Sequence, residues 1–239
     1  MAWSGLRTMR RVRSKSMTPS ATVLRSGLFG AFAAFCMLPA LAQTADAAPR
    51  TSVQAVLALA PDKNRGQAAF DDCAGCHRKD ASGRATGAIP RLSGQHASVI
   101  VKQVLDIRSG LRVNPAMKPH VEEADLSAQT LADIASYLQS LPIAGRLGQG
   151  PGDDPARGQA LFARDCSTCH GAQGEGRAEG YFPMVAAQHY QYLLRELGLI
   201  RDGGRGNSNP AMAALVKGYS AADLQAVADH MSRLPPPGK

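Results

Sequence analysis

The sequence predicts an all-α protein of two tandem domains. Three observations carry that expectation: a long internal repeat, apolar stripes at helical spacing that end on proline in both copies, and a Cys-x-x-Cys-His motif in each copy. The chain has 239 residues, enough for two small domains beside a leader.

The repeat emerges when the two cysteine motifs are aligned at an offset of 93 residues. Arg65-Gly66-Gln67 and Phe70 precede the first motif, as Arg157-Gly158-Gln159 and Phe162 precede the second, with one extra residue before Cys166. Both stretches read as short amphipathic helices. Pro90 follows His77 and Pro183 follows His170 at the same distance. Gln95-His96 then matches Gln188-His189 at the start of a helical pattern. Asn114-Pro115-Ala116-Met117 recurs as Asn209-Pro210-Ala211-Met212 after a two-residue insertion in a loop carrying Gly203, Gly204 and Gly206. The last helices carry Leu131, Ile134, Ala135, Leu138 and Leu141 in one copy, and Leu224, Val227, Ala228, Met231 and Leu234 in the other. Ser127 and Ser220 are the expected N-caps, and Pro142 and Pro235 close the helices because proline cannot continue one.

Residues 1–47 read as a secretory leader. Arg7, Arg10, Arg11, Arg13, Lys15 and Arg25 precede an apolar run from Leu28 to Leu41, followed by small-residue cleavage sites after Ala42 or Ala47. Met17 is an alternative start. Residues 142–156 are rich in glycine and proline and are expected to form an exposed connection, which places the domains at 48–150 and 151–239. No segment after the leader could span a bilayer.

Charge excludes one class of partner. The formal net charge is +8, but the leader holds six basic residues and one acidic one, so the remainder is near +3. Residues 48–150 carry 12 basic and 9 acidic side chains, and residues 151–239 carry 9 of each. No basic stripe of nucleic-acid-binding strength is present.

Cys36 lies in the leader, and the other cysteines form two close pairs, Cys73 with Cys76 and Cys166 with Cys169, each followed by a histidine. Four cysteines in a secreted chain would ordinarily suggest disulfides. The C-x-x-C-H spacing points instead to two covalently bound haem c groups, with both thiols forming thioethers and His77 or His170 presenting imidazole to iron. A thioredoxin-like pair lacks its βαβ setting here, and a zinc finger lacks its spacing. A buried haem would also complete cores of about 90 residues that are poor in aromatic side chains.

A sixth ligand should be a soft thioether. Met117 and Met212 correspond between the copies and are expected in loops, which makes them the ligands of choice over Met184 and Met231. Met231 occupies a helix stripe and reads as packing, whereas Met184 reads as crevice lining. His96 and His189 recur without an assigned role.

With these motifs, with Pro90-Arg91-Leu92-Ser93-Gly94-Gln95, and with the stretch Lys102 to Gly110, the chain resembles the dihaem cytochrome c4 family over residues 62–236. The second copy departs at Ala186-Ala187-Gln188, where the family usually has glycine before glutamine. The resemblance implies two class I cytochrome c folds of about three to five helices each, related by a pseudo-twofold, with the haems facing each other. It implies a periplasmic electron carrier rather than an enzyme, passing single electrons from a quinol-oxidising complex or a dehydrogenase to a terminal oxidase. An alternative is the cytochrome subunit of a flavin-containing sulfide dehydrogenase. A catalytic haem would need an open or unusual distal site, for which no spare cysteine is available. Membrane-associated redox partners and no nucleic acid are the expected company.

Overall fold

The computed structural model describes residues 52–122, 124–143 and 148–238, which belong to one compact unit. The leader expected over 1–47 lies outside them. Among the described residues the architecture is helical, with one isolated bridge between Arg177 and Phe182.

The first half comprises α1 (Val53–Leu57), α2 (Lys63–His77), α3 (Ala97–Arg108), a 3₁₀ turn (Lys118–His120) and α4 (Ala128–Ser140). The second comprises α5 (Pro155–Leu161), a π-helical turn (Phe162–Cys166), α6 (Ser167–His170), α7 (Tyr190–Arg201), α8 (Pro210–Val216) and α9 (Ala221–Arg233). The element α5–π–α6 is the counterpart of α2. The single residue by which the second copy is longer before its cysteines is absorbed as a π turn. Such a turn holds one residue more than an α turn, so the helix continues and the motif keeps its place.

Local chemistry starts and stops these helices. The Asp62 carboxylate accepts from the backbone N–H of Asn64 and Arg65 to cap α2. Ser127 and Ser220 cap α4 and α9 as the sequence predicts, and Ser220 forms a reciprocal capping box with Asp223. The buried faces of α4 and α9 include the predicted stripes, from Leu131 to Leu138 and from Leu224 to Met231.

Each half has its own core. Phe70, Ile100, Val104, Leu131 and Leu138 centre the first, and Phe162, Leu193, Leu197, Leu224 and Met231 the second. Helices α2 and α4 in the first half, and α5 and α9 in the second, cross at a glycine. A Cβ on Gly66 would lie 2.1 Å from the Asp133 carbonyl oxygen, and one on Gly158 would lie 2.2 Å from that of Ala226. Beside each crossing one aromatic ring meets another: Phe70 with Tyr137 at 5.9 Å between centroids, and Phe162 with His230 at 5.2 Å.

Backbone conformation repeats even where residue type does not. Gly171 follows the second motif at φ 83, ψ 157, and Arg78 holds the equivalent place at φ 69, ψ 156. That region is costly for any residue with a Cβ, about 1–3 kcal/mol. Arg78→Gly removes this strain and gives back part of the gain as unfolded-chain entropy. A net stabilisation of about 1 kcal/mol is expected, read as a higher midpoint in urea unfolding; an unchanged or lower midpoint would show that position 78 is not strained.

The connection is exposed over most of its described residues, as its composition suggests, but two of its glycines are bonded. The Gly148 N–H donates to His189 Nδ1, and its carbonyl accepts from Tyr190 N–H. The Gly150 N–H donates to Ser232 Oγ, and its carbonyl accepts from Arg233. These backbone groups fasten residues 148–150 to the second half.

Candidate haem-attachment sites

Cys73, Cys76 and His77 stand at i, i+3 and i+4 at the C-terminal end of α2, which puts all three on one face of the helix. Cys166, Cys169 and His170 repeat the pattern where the π turn passes into α6. None of the four cysteines is disulfide-bonded. Burial pushes the thiol of Cys73 up and that of Cys166 up to about 12, with the carboxylates of Asp72 and Asp165 adding to the effect. Both are therefore neutral thiols rather than thiolates at neutral pH. Among the described residues no three His, Cys, Asp or Glu side chains converge as a bare metal site.

Both histidines are buried. His77 Nδ1 lies 3.3 Å from the Pro90 carbonyl oxygen, and His170 Nδ1 lies 2.8 Å from that of Pro183. A carbonyl only accepts, so Nδ1 carries the proton and Nε2 keeps its lone pair for a metal. The matched prolines that the sequence showed without explanation are thus what orients each imidazole. Burial holds both histidines below their ordinary range, which favours the neutral, ligand-competent form. A haem group fits this donor set: two thiols on one helix face and an imidazole whose outer nitrogen is locked.

Met117 packs against the same core as Cys73, and Met212 against the same core as Cys166. Met117 sits in the turn leading into the 3₁₀ segment, as expected. Met212 does not lie in a loop: it falls in the first turn of α8, which Asn209 caps and Pro210 opens. Proline at N1 and asparagine at the N-cap favour a helix start, a signal present in the sequence and outweighed there by the glycine-rich stretch just before it. Met231 is buried in α9, as its stripe predicts. Met184 is buried at the junction of the halves, where its backbone is engaged by Gln95.

That junction gives the recurring residues their role. Gln95 Nε2 donates to the Met184 carbonyl while its Oε1 accepts from Met184 N–H, both at 3.0 Å. Gln188 does the same to Arg91, again at 3.0 Å in each direction. His96 Nε2 bonds the Glu175 carbonyl at 2.9 Å, and His189 Nε2 bonds the Ser82 carbonyl at 2.8 Å. Every one of these partners is related to its counterpart by the 93-residue offset, so the halves meet about a pseudo-twofold. Ala187 takes φ 55 where Gly94 takes φ 77, so the departure from the usual glycine keeps the backbone form.

A second reciprocal set completes the junction. Arg112 donates to Gln103 and Glu196, and Arg205 donates to Glu196 and Gln103, all within 3.0 Å. Arg112 with Arg205 and Gln103 with Glu196 are again pairs at the same offset. Sequence reasoning did not single these four out, although the repeat already aligned them.

Comparison with known proteins agrees with this geometry. The cytochrome c family model matches twice, over residues 64–142 and 155–235. Cytochrome c4 of Pseudomonas aeruginosa is 31% identical over 185 residues, a match covering 73% of this chain and 90% of the relative. The chain belongs to the cytochrome c4 family. The crystal structure of reduced recombinant cytochrome c4 from Pseudomonas stutzeri superposes with a TM-score of 0.66 at 28% identity, covering 74% of this chain and all of the other. A thiosulfate dehydrogenase electron acceptor of Stutzerimonas stutzeri is 34% identical over 173 residues, covering 68% of this chain and 78% of that one. As a cytochrome c4, the chain is an electron-transfer cytochrome with two tandem, helical cytochrome c domains, a fold that holds haem covalently. No helix among its described residues is long and apolar enough to cross a membrane.

Proposed function

We propose that the chain is a periplasmic dihaem electron carrier, its domains spanning 48–150 and 151–239 after a leader over 1–47. The observation that supports this most is the pair of buried histidines whose Nδ1 protons are held by Pro90 and Pro183, each beside two unbridged cysteines.

Cys73 and Cys76 would hold one haem c as thioethers, and Cys166 with Cys169 the other. His77 with Met117 would hold the iron of the first, and His170 with Met212 that of the second. Haem bound in this way supplies a one-electron ferric–ferrous couple, with thioether ligation favouring a higher potential. The protein's part is to hold geometry still. The carbonyls of Pro90 and Pro183 fix the ring planes, the Asn114 side chain accepts from Met117 N–H at 3.2 Å, and Asn209 caps the turn bearing Met212. With a histidine and a methionine as its protein ligands, each iron would be suited to electron transfer rather than to binding a substrate.

The donor in this reading is a quinol-oxidising complex or a dehydrogenase, and the acceptor a terminal oxidase. Similarity to a thiosulfate dehydrogenase electron acceptor favours the dehydrogenase side, and with it the alternative of a subunit bound to such an enzyme. Stoichiometric co-purification with a dehydrogenase at physiological salt would establish that alternative over the free carrier.

A pyridine haemochrome assay combined with the intact mass of the mature chain should give two covalent haems per chain; one or none would defeat the proposal. In the ferric protein, Met117→Ala and Met212→Ala should each remove about half of the far-red sulfur-to-iron band. An undiminished band in both variants would reject the two methionines as ligands.

A further inference from the structure

The pseudo-twofold is kept in the buried bonds between the halves and broken on the surface. A groove of about 210 Å³ opens where the halves meet, lined among others by Val113, Asn114, Pro115, Arg195, Leu199 and Arg205. Of its apolar lining, Val113 is 73% exposed and Leu199 40%, both large apolar side chains left in water. Their counterparts at the 93-residue offset are Gly206 and Asp106. Repetition would therefore put a glycine and a carboxylate at these two places across the axis, so this apolar pair has no apolar counterpart there.

The rim of that patch is positive. Glu196 is the single carboxylate shared by three guanidinium groups: Arg112 at 3.0 Å, Arg205 at 2.9 Å and Arg195 at 3.2 Å. Nearby Asp106 is matched by Lys102. Two positive charges are left over in a partly desolvated setting, where the field is less screened than on an open surface. Arg195 is held in place by the Gly87 carbonyl and lies over the Tyr192 ring, with much of its side chain in water. The groove wall formed by Val113, Asn114 and Pro115 runs directly on to Met117.

We propose that this groove is the docking surface for one redox partner, a protein presenting a small apolar face ringed by carboxylates, and that it exchanges electrons through the first domain. The proposal rests on the electron-carrier reading above. An apolar centre of this size with an uncompensated charged rim suits a brief encounter: charge steers the partner, and the small contact lets it leave.

The test is oxidation of the reduced holoprotein by membrane vesicles from its own host, measured as a function of protein concentration and salt. Val113→Asp combined with Leu199→Asp should raise the half-saturating concentration at least tenfold with an unchanged maximal rate. Arg195→Glu should do the same and flatten the salt dependence. Exchange with an uncharged small mediator should stay as in the wild type, and Leu57→Asp, an exposed apolar position in α1, should be silent. Unchanged half-saturation in the groove variants, an equal loss in Leu57→Asp, or vesicles that oxidise no form of the haem-loaded protein would overturn the proposal. So would a wild-type dimer in sedimentation that Val113→Asp splits, since the occupant would then be a second copy. Failure of the electron-carrier reading has another signature: fewer than two haems and no exchange with the mediator in any variant.

Discussion

Gly66→Ala is expected to destabilise the first domain by about 3 kcal/mol. The added Cβ would sit 2.1 Å from the Asp133 carbonyl oxygen and 2.5 Å from its carbon, both backbone atoms that cannot rotate away. Helices α2 and α4 must separate, and overpacking of this kind costs about 1–3 kcal/mol or more. Separation also strains the ion pair between Arg65 and Asp133, whose carboxylate is nearly buried. Alanine's better helix propensity returns at most about 1 kcal/mol. Gly158→Ala should act in the same way on the second domain, where the obstacle is the Ala226 carbonyl. Gly198→Ala in α7 is the control: its Cβ would meet nothing within 4 Å, so propensity alone should raise stability by up to about 1 kcal/mol. Urea unfolding of the holoprotein separates these outcomes, and equal midpoints for all three variants would show that the close crossings do not limit packing. A loss of about 3 kcal/mol is large against a domain stability of about 5–15 kcal/mol.

The parts of this fold that were legible in the sequence are those set by local chemistry. Caps at Ser127 and Ser220, stripes in α4 and α9, and the i, i+3, i+4 placement of the cysteines and histidine follow from residue type and spacing alone. The extra residue before Cys166 was visible as a count, but its structural form was not, because a π turn and a loop insertion look the same in one dimension. Met212 reads as a loop residue because Gly203, Gly204 and Gly206 lie just before it, whereas Asn209 and Pro210 start a helix that already contains it. The junction was the least legible. Gln95, Gln188, His96 and His189 recur visibly, yet each bonds to backbone carbonyls or N–H groups of the opposite half, and backbone partners leave no trace in residue identity. The exposed connection expected from composition turned out, over residues 148–150, to be bonded for the same reason: its polar groups are main-chain groups, and composition does not say where they go.

Gln188→Ala and Gln95→Ala should uncouple the two domains. Each glutamine amide closes a two-bond ring with one buried residue of the other half, and its Oε1 also accepts from the N–H of the following histidine at about 3 Å. Removing the amide leaves a donor and an acceptor of Met184 or Arg91 buried without their partner, at about 1–3 kcal/mol for each group. A loss of about 2–4 kcal/mol in coupling is therefore expected from either variant. The two should add less than fully, because they act on one shared interface. Scanning calorimetry should show one cooperative transition for the wild type and two for the double variant, the lower belonging to whichever domain is weaker alone. Gln95→Glu distinguishes loss of bonding from loss of volume: the side chain keeps its shape, but a carboxylate then faces the Met184 carbonyl, so it should be at least as damaging as alanine. If the double variant unfolds in a single unshifted transition, the reciprocal amide rings do not hold the halves together, and the His96 and His189 bonds with the Arg112–Gln103–Arg205–Glu196 set must do so instead.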